Sequence, residues 1–353
     1  MANQGASWVS GAAAAAVFFT ASVHASPDLS GGIWFNYQYQ QNNPQHENSW
    51  GVIDSEALVL YVDGDVEDTP WTYSAEARFG PGSFTDPDNN STGDQFGLHK
   101  AWLAYQIEDG AKITLGKSQV PFAWKTANFW PGDIFLAGYG DQMDVGVKAS
   151  QTLDSGLHYD AALYLADDWS TSTDTMDDNR HWGSQSTYRK VQTFVGNLSY
   201  TFSDVHTLGI SAQKGGLQEM ISGEGDISGD HQAAALYYVA SAGPLSAKAS
   251  VISTERNLPD EYADLTIENT RYAGELGYSS GNWFFYADLT YATPNTEGNN
   301  SDTIRAFAPG FSYDYGPGWF YLEYLTQDGY IDRDGQALEG NFDALYATLD
   351  FYF

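Results

Sequence analysis

From one end to the other the chain is built of short period-two segments, and the connections between them alternate between long and short. Segments whose odd and even residues differ in polarity number about sixteen, near 29–40, 52–63, 71–80, 98–107, 112–121, 144–151, 157–167, 191–202, 206–214, 231–241, 245–255, 270–279, 283–292, 303–313, 319–327 and 342–353. Long connections fall near 41–51, 81–97, 122–143, 168–190, 215–230, 256–269, 293–302 and 328–341. Between them lie tight turns such as Glu108-Asp109-Gly110, Ser203-Asp204-Val205 and Gly316-Pro317-Gly318. A soluble sandwich has no reason to keep that beat through eight cycles. An up-and-down β-barrel with short turns at one rim and long loops at the other requires it.

The faces agree. In Trp71-Thr72-Tyr73-Ser74-Ala75-Glu76-Ala77-Arg78-Phe79 every odd position is apolar or aromatic and every even one polar. The last ten residues repeat the scheme, with Leu345, Ala347, Leu349, Phe351 and Phe353 in one row and Ala344, Tyr346, Thr348, Asp350 and Tyr352 in the other. A charge facing hydrocarbon at mid-depth costs about 2–4 kcal/mol, so strand charges are expected to point into a water-filled lumen. By phase, Arg78, Lys100, Lys148, Lys248, Arg271 and Arg305 are the expected inward bases. Glu76, Asp160, Glu275, Asp288, Glu323 and Asp350 are the matching acids, which leaves the wall near neutral. The fold expected is an all-β transmembrane antiparallel barrel of about sixteen strands.

Composition fits such a barrel. Aromatics make up 15% of a chain whose mean hydropathy is −0.39, as outer girdles and a polar interior would give. Met1 to Ala25 holds no Asp, Glu, Lys or Arg, carries an apolar block at 11–21, and ends Val23-His24-Ala25 before Ser26. That pattern predicts a removed signal peptide at 1–25 and a barrel domain at 26–353. After it no apolar run is long enough for a membrane-spanning helix. The absence of cysteine suits passage through an oxidising compartment. A net charge of −31 excludes a nucleic-acid partner, because phosphate contacts need Lys and Arg. The acidic excess is expected in loops, at Asp86, Asp88 and Asp94, at Asp174, Asp177 and Asp178, and at Glu219, Glu224, Asp226 and Asp230. An acidic mouth concentrates cations, whereas the same acids could serve only solubility or hold divalent ions against lipid headgroups.

No reaction chemistry stands out. Six histidines after residue 25 lie more than five residues apart, so metal-type spacing is missing. Asp86-x-Asp88-x-Asn90 lacks the Gly and closing Glu of a calcium loop. There is no phosphate loop, dinucleotide fingerprint or nucleophile elbow. A barrel lipase would need a Ser–His pair on its lipid face, and His99 and His158 offer none. The expectation is no enzyme, no cofactor and no metal.

The closing strand with its terminal Phe353 resembles that of Gram-negative outer-membrane barrels, in which this aromatic is read by the barrel-assembly machinery. Lys112-Ile113-Thr114-Leu115-Gly116-Lys117-Ser118-Gln119-Val120-Pro121-Phe122, with Gly116 five residues before Pro121-Phe122, resembles the end of the fifth strand in phosphate-selective porin-like proteins and general porins. The resemblance implies an outer-membrane homotrimer of sixteen-stranded porins, surrounded by lipid and lipopolysaccharide, passing small hydrophilic solutes and ions by diffusion. It implies that the third long loop, Phe122–Met143, folds inward. Asp133 and Asp141 on this loop, facing Arg78 and Lys100, would set a transverse field, with Lys125 on the same loop and Glu76, Lys148, Arg271 and Arg305 among the lining residues. Asp133 in Pro131-Gly132-Asp133 could equally be a turn residue. Trp124, Phe129, Trp130 and Tyr139 would either guide sugar rings or pack the loop on the wall. Only 15 Lys and Arg are present, which departs from the basic ladders of phosphate-selective channels and favours weak cation preference. A substrate-specific porin for phosphate, another anion or a sugar, and a barrel receptor or adhesin, remain as alternatives.

Overall fold

The computed structural model describes residues 25–53, 56–81, 96–107, 110–123, 143–166, 188–219, 225–260, 264–299, 301–331 and 335–353. Its strands are β1 (Ala25–Gln40), β2 (Val52–Ile53), β3 (Ala57–Val66), β4 (Trp71–Phe79), β5 (Phe96–Gln106) and β6 (Ala111–Gln119). Next come β7 (Met143–Thr152), β8 (Leu157–Ala166), β9 (Tyr188–Phe202), β10 (His206–Glu219), β11 (Ile227–Ala242) and β12 (Leu245–Asn257). The series ends with β13 (Thr266–Ser280), β14 (Trp283–Pro294), β15 (Ile304–Asp314), β16 (Trp319–Ile331) and β17 (Ala337–Tyr352). Each pairs antiparallel with its sequence neighbour, and β1 closes the ring by pairing β17 from Gly32↔Tyr352 to Gln40↔Ala344 and β3 from Ala25↔Val66 to Trp34↔Ala57. With the two-residue β2 set aside as a ribbon on β1, sixteen staves remain. Closure leaves no sheet edge to pair with another chain.

Period two decides which way each side chain points. On β17 the inward Ala344, Tyr346, Thr348 and Asp350 are buried, whereas the outward Leu349 and Phe351 are exposed. A cross-strand row at mid-height on the outside reads Ile210, Leu236, Val251 and Tyr272, all exposed hydrophobics. At the short-turn rim aromatic rings form a girdle. Phe202 lies 6.2 Å from Tyr200 and 5.3 Å from His206, and His206 stacks 5.9 Å from Tyr238. Further round, Trp283 meets Tyr313 at 4.5 Å and Phe311 at 5.4 Å. Rings with an apolar body and a polar edge belong at such a boundary.

Two expectations are corrected. The segment expected at 52–63 is broken: Pro44–Ser49 forms a one-turn helix, α1, capped by the Asn43 side chain accepting from the Gln45 N–H, and Val52–Ile53 then pairs with β1 before β3 begins at Ala57. Several strands also outrun their alternating stretch on the long-loop side, β10 to Glu219 and β11 from Ile227, for example. Their outward residues there are polar (Lys214, Gln218, Asp230, Ser228), so the apolar signal stops while the hydrogen-bonded ladder continues. Glu219 and Asp230, expected in a loop, therefore sit on strands, Glu219 inward and fully buried. The expected signal peptide lies, up to residue 24, outside the described residues, and no described helix is long and apolar enough to cross a membrane.

Candidate functional site

The wall of the lumen carries the chemistry. On β4, Glu76 and Arg78 occupy successive inward positions, and the Arg78 Nε donates to Glu76 Oε1 at 2.7 Å. The Arg78 guanidinium also lies over the Trp34 ring of β1, 4.8 Å from its centroid. Lys100 stands opposite Glu76 on β5, just past a bulge. Lys112 on β6 approaches the inward Trp102 ring at 5.8 Å. On β7, Lys148 donates to the Gln119 carbonyl at 2.8 Å. Across the ring, Lys248 pairs with Glu275 at 3.0 Å, Glu275 faces Asp288 in register, and Tyr286 donates to Glu323 Oε2 at 2.8 Å. Arg271 points inward two positions before Ala273 and is buried.

A polar chain joins the short-turn end of this wall to the third long loop. Asp160 accepts from Ser150 at 2.6 Å and from Asn197 at 3.0 Å, with His158 Nε2 at 2.9 Å. Asn197 Oδ1 in turn accepts from Ser211 at 2.9 Å and from Tyr237 at 2.8 Å. Ser211 Oγ then accepts the backbone N–H of Ala123 at 3.0 Å. Ala123 follows β6, and Ser211 is an inward residue of β10, so the chain leaving β6 turns into the lumen and crosses the inner faces of β7 to β9. Val120 and Phe122 bury themselves there with the inward Ala162, Tyr164, Val195, Ala233, Ala235 and Ile252. Burying two such side chains stabilises by about 1.5–3 kcal/mol each. Replacing Ser211 with valine leaves the Ala123 N–H without its acceptor, a cost of about 1–3 kcal/mol on the loop anchor. Single-channel records of Ser211→Val are expected to show a noisier open level; records matching the parent would show that the hydrophobic contacts alone hold the loop.

The expected lining residues divide. Glu76, Arg78, Lys100, Lys148 and Arg271 all point into the lumen. Arg305 does not: it shares the outward row with the exposed Phe307, while Ile304, Ala306 and Ala308 fill the inward positions. It stands at the long-loop end, where an outward base costs about 0–1 kcal/mol, and its N–H donates to Asp328 Oδ1 at 2.6 Å. Lys125, Asp133 and Asp141 lie outside the described residues. Three inward bases escaped the sequence reading, namely Lys112, Lys190 and Arg256, the last donating to Tyr188 at 2.9 Å. Extending the period-two phase to the strand ends would have found Lys112 and Arg256, whereas Lys190 lies beyond a register shift near Gln192 that reverses the phase of β9. The wall is also less uniformly polar than expected, since Ala292, Ile304, Ala306, Ala308, Leu325, Ala344 and Tyr346 form a buried apolar sector on β14 to β17.

Residues 132–352 match the Gram-negative porin family, well over half of the chain. The chain belongs to that family. The porin therefore forms a channel in the outer membrane. No curated protein matches it in sequence. Solved structures share its fold at low identity. OmpT of Vibrio cholerae, described in its trimer form, is 12% identical with a TM-score of 0.61, covering 93% of this chain and 99% of that one. The anion-selective porin from Comamonas acidovorans is 12% identical with a TM-score of 0.63, covering 94% and 100%. The outer-membrane channel DcaP of Acinetobacter baumannii is 13% identical with a TM-score of 0.62, covering 93% and 97%.

Proposed function

We propose that this porin is a passive diffusion channel for small hydrophilic solutes and ions with a weak preference for cations. The observation that carries this reading is the balance of the described wall. Arg78, Lys100, Lys112, Lys148, Lys190, Lys248, Arg256 and Arg271 are offset by Asp63, Glu76, Asp144, Asp160, Glu219, Glu275, Asp288, Glu323 and Asp350, all inward. The net charge of −31 must then come from residues elsewhere, above all the loop acids, which bias the mouth. Screening within about 8 Å at physiological salt keeps that bias weak. We assign the porin a homotrimeric assembly, lipopolysaccharide and other outer-membrane lipid as surroundings, removal of residues 1–25, and use of Phe353 by the assembly machinery.

A specific anion channel is the second reading, favoured by the run of inward bases Arg78, Lys100, Lys112 and Lys148 on neighbouring staves. Reversal potentials of the purified porin in a planar bilayer under a tenfold KCl gradient separate the two. Ohmic steps with a small cation-selective potential are expected. An anion-selective potential transfers control to that basic run, and absence of conductance refutes an open channel.

A further inference from the structure

We propose that the inner wall of β16, β17, β1 and β3 carries an aromatic platform that binds neutral sugars on their way through the lumen. The proposal rests on the diffusion-channel reading above and names a solute class for it. On these four neighbouring staves the inward Trp34, Tyr61, Tyr321 and Tyr352 are only half-buried, so their rings are partly open to the lumen. Small side chains lie between them. The Tyr352 row continues through Gly32 and Val59, and the Trp34 row, one step toward the long loops, through Ala57. A side-chain carbon added at Gly32 would meet the Tyr352 ring at 3.0 Å. Glycine there lets that ring lie across β1 toward Tyr61, whose ring centroid is 6.5 Å away. The rings thus form one surface with no bulky aliphatic side chain rising between them.

A sugar presents C–H groups on its faces and hydroxyls around its edge. The electron-rich face of an aromatic ring takes the first, and the second needs donors and acceptors close together. Both stand beside these rings. The Tyr352 hydroxyl donates to Asp350 at 3.5 Å, and Asp350 is the cross-strand partner of Trp34. Tyr321 pairs with Thr348, which donates to Asn36 at 2.7 Å. Glu76 is the partner of Tyr61 on β4 and is bonded to Arg78, whose guanidinium lies 4.8 Å from the Trp34 centroid. Charge favours a neutral solute. Glu76 and Asp350 are offset by Arg78 and Lys100, so the patch singles out neither sign of ion, while each charged group strengthens a hydrogen bond to a hydroxyl. An inorganic anion gains nothing from the ring faces, and a small cation must compete with the guanidinium already on Trp34.

Blockade of the KCl current through the porin in a planar bilayer tests this, with maltotriose as the ring-bearing probe and sorbitol as an acyclic polyol without a face to stack. Maltotriose is expected to lower the current of the parent saturably, and sorbitol to lower it only in proportion to viscosity. Tyr61→Leu is expected to raise the half-blocking concentration at least about fivefold, and Tyr61→Phe, which keeps the ring, to leave it near the parent value. Trp34→Leu, on the neighbouring stave, carries the same test where Tyr61→Leu fails to assemble. Equal block of the parent and the leucine variants overturns this seat. A conducting parent that maltotriose blocks no more than sorbitol overturns the proposal and leaves the diffusion channel standing. A parent that does not conduct overturns both.

Discussion

Leu236→Arg is expected to destabilise the folded barrel by about 2–4 kcal/mol, and Ala242→Arg on the same strand by no more than about 1 kcal/mol. Both positions point outward on β11. Leu236 is exposed and sits between Ile210 of β10 and Val251 of β12, in the middle of the apolar band. Ala242 ends the strand at the short turn, opposite Leu245, where an arginine head can reach water. The same substitution at two depths thus separates the bilayer's cost from any loss of strand propensity. Urea titration of the porin refolded into lipid vesicles measures it, read as a shift in midpoint with the slope unchanged. Equal costs at the two positions would mean that this face is covered by protein instead of hydrocarbon.

Reversing the two bases that flank Glu76, as Arg78→Glu/Lys100→Glu, is expected to raise the cation-to-anion permeability ratio by about three- to tenfold. The pair faces the lumen on β4 and β5, with Glu76 between them. Each unit charge about 8 Å from the path of an ion in water acts with on the order of 0.5 kcal/mol. Four units of change sum to roughly 2 kcal/mol before salt screening reduces them. Because two new acids beside Glu76 strain the wall, Arg78→Gln/Lys100→Gln provides a gentler version with about half the effect. Reversal potentials in a tenfold KCl gradient report both. If neither variant moves the potential, ions do not pass within reach of this wall, and the constriction lies elsewhere.

The porin's architecture was legible because the bilayer imposes a simple rule on each strand. A residue that faces hydrocarbon must be apolar and its neighbour need not be, so Trp71 to Phe79 and Ala344 to Phe353 declare both their strand and their inward side without reference to any partner. The rule weakens where the bilayer ends. Above the band Lys214, Asp230 and Glu268 face outward into water, so the chain no longer distinguishes strand from loop, and the long walls of β10, β11 and β13 were cut short. Arg305 was placed on the wrong face for the same reason: at the rim, charge ceases to mark the inside. It was tertiary structure that carried Ala123 across to Ser211, since the sequence of a loop does not encode which distant wall will accept its backbone. The sequence determined by itself that this chain closes into a water-lined barrel, through an alternation each strand carries locally. Which side chains meet across the lumen depended on register and ring closure, which bring together residues far apart in the chain.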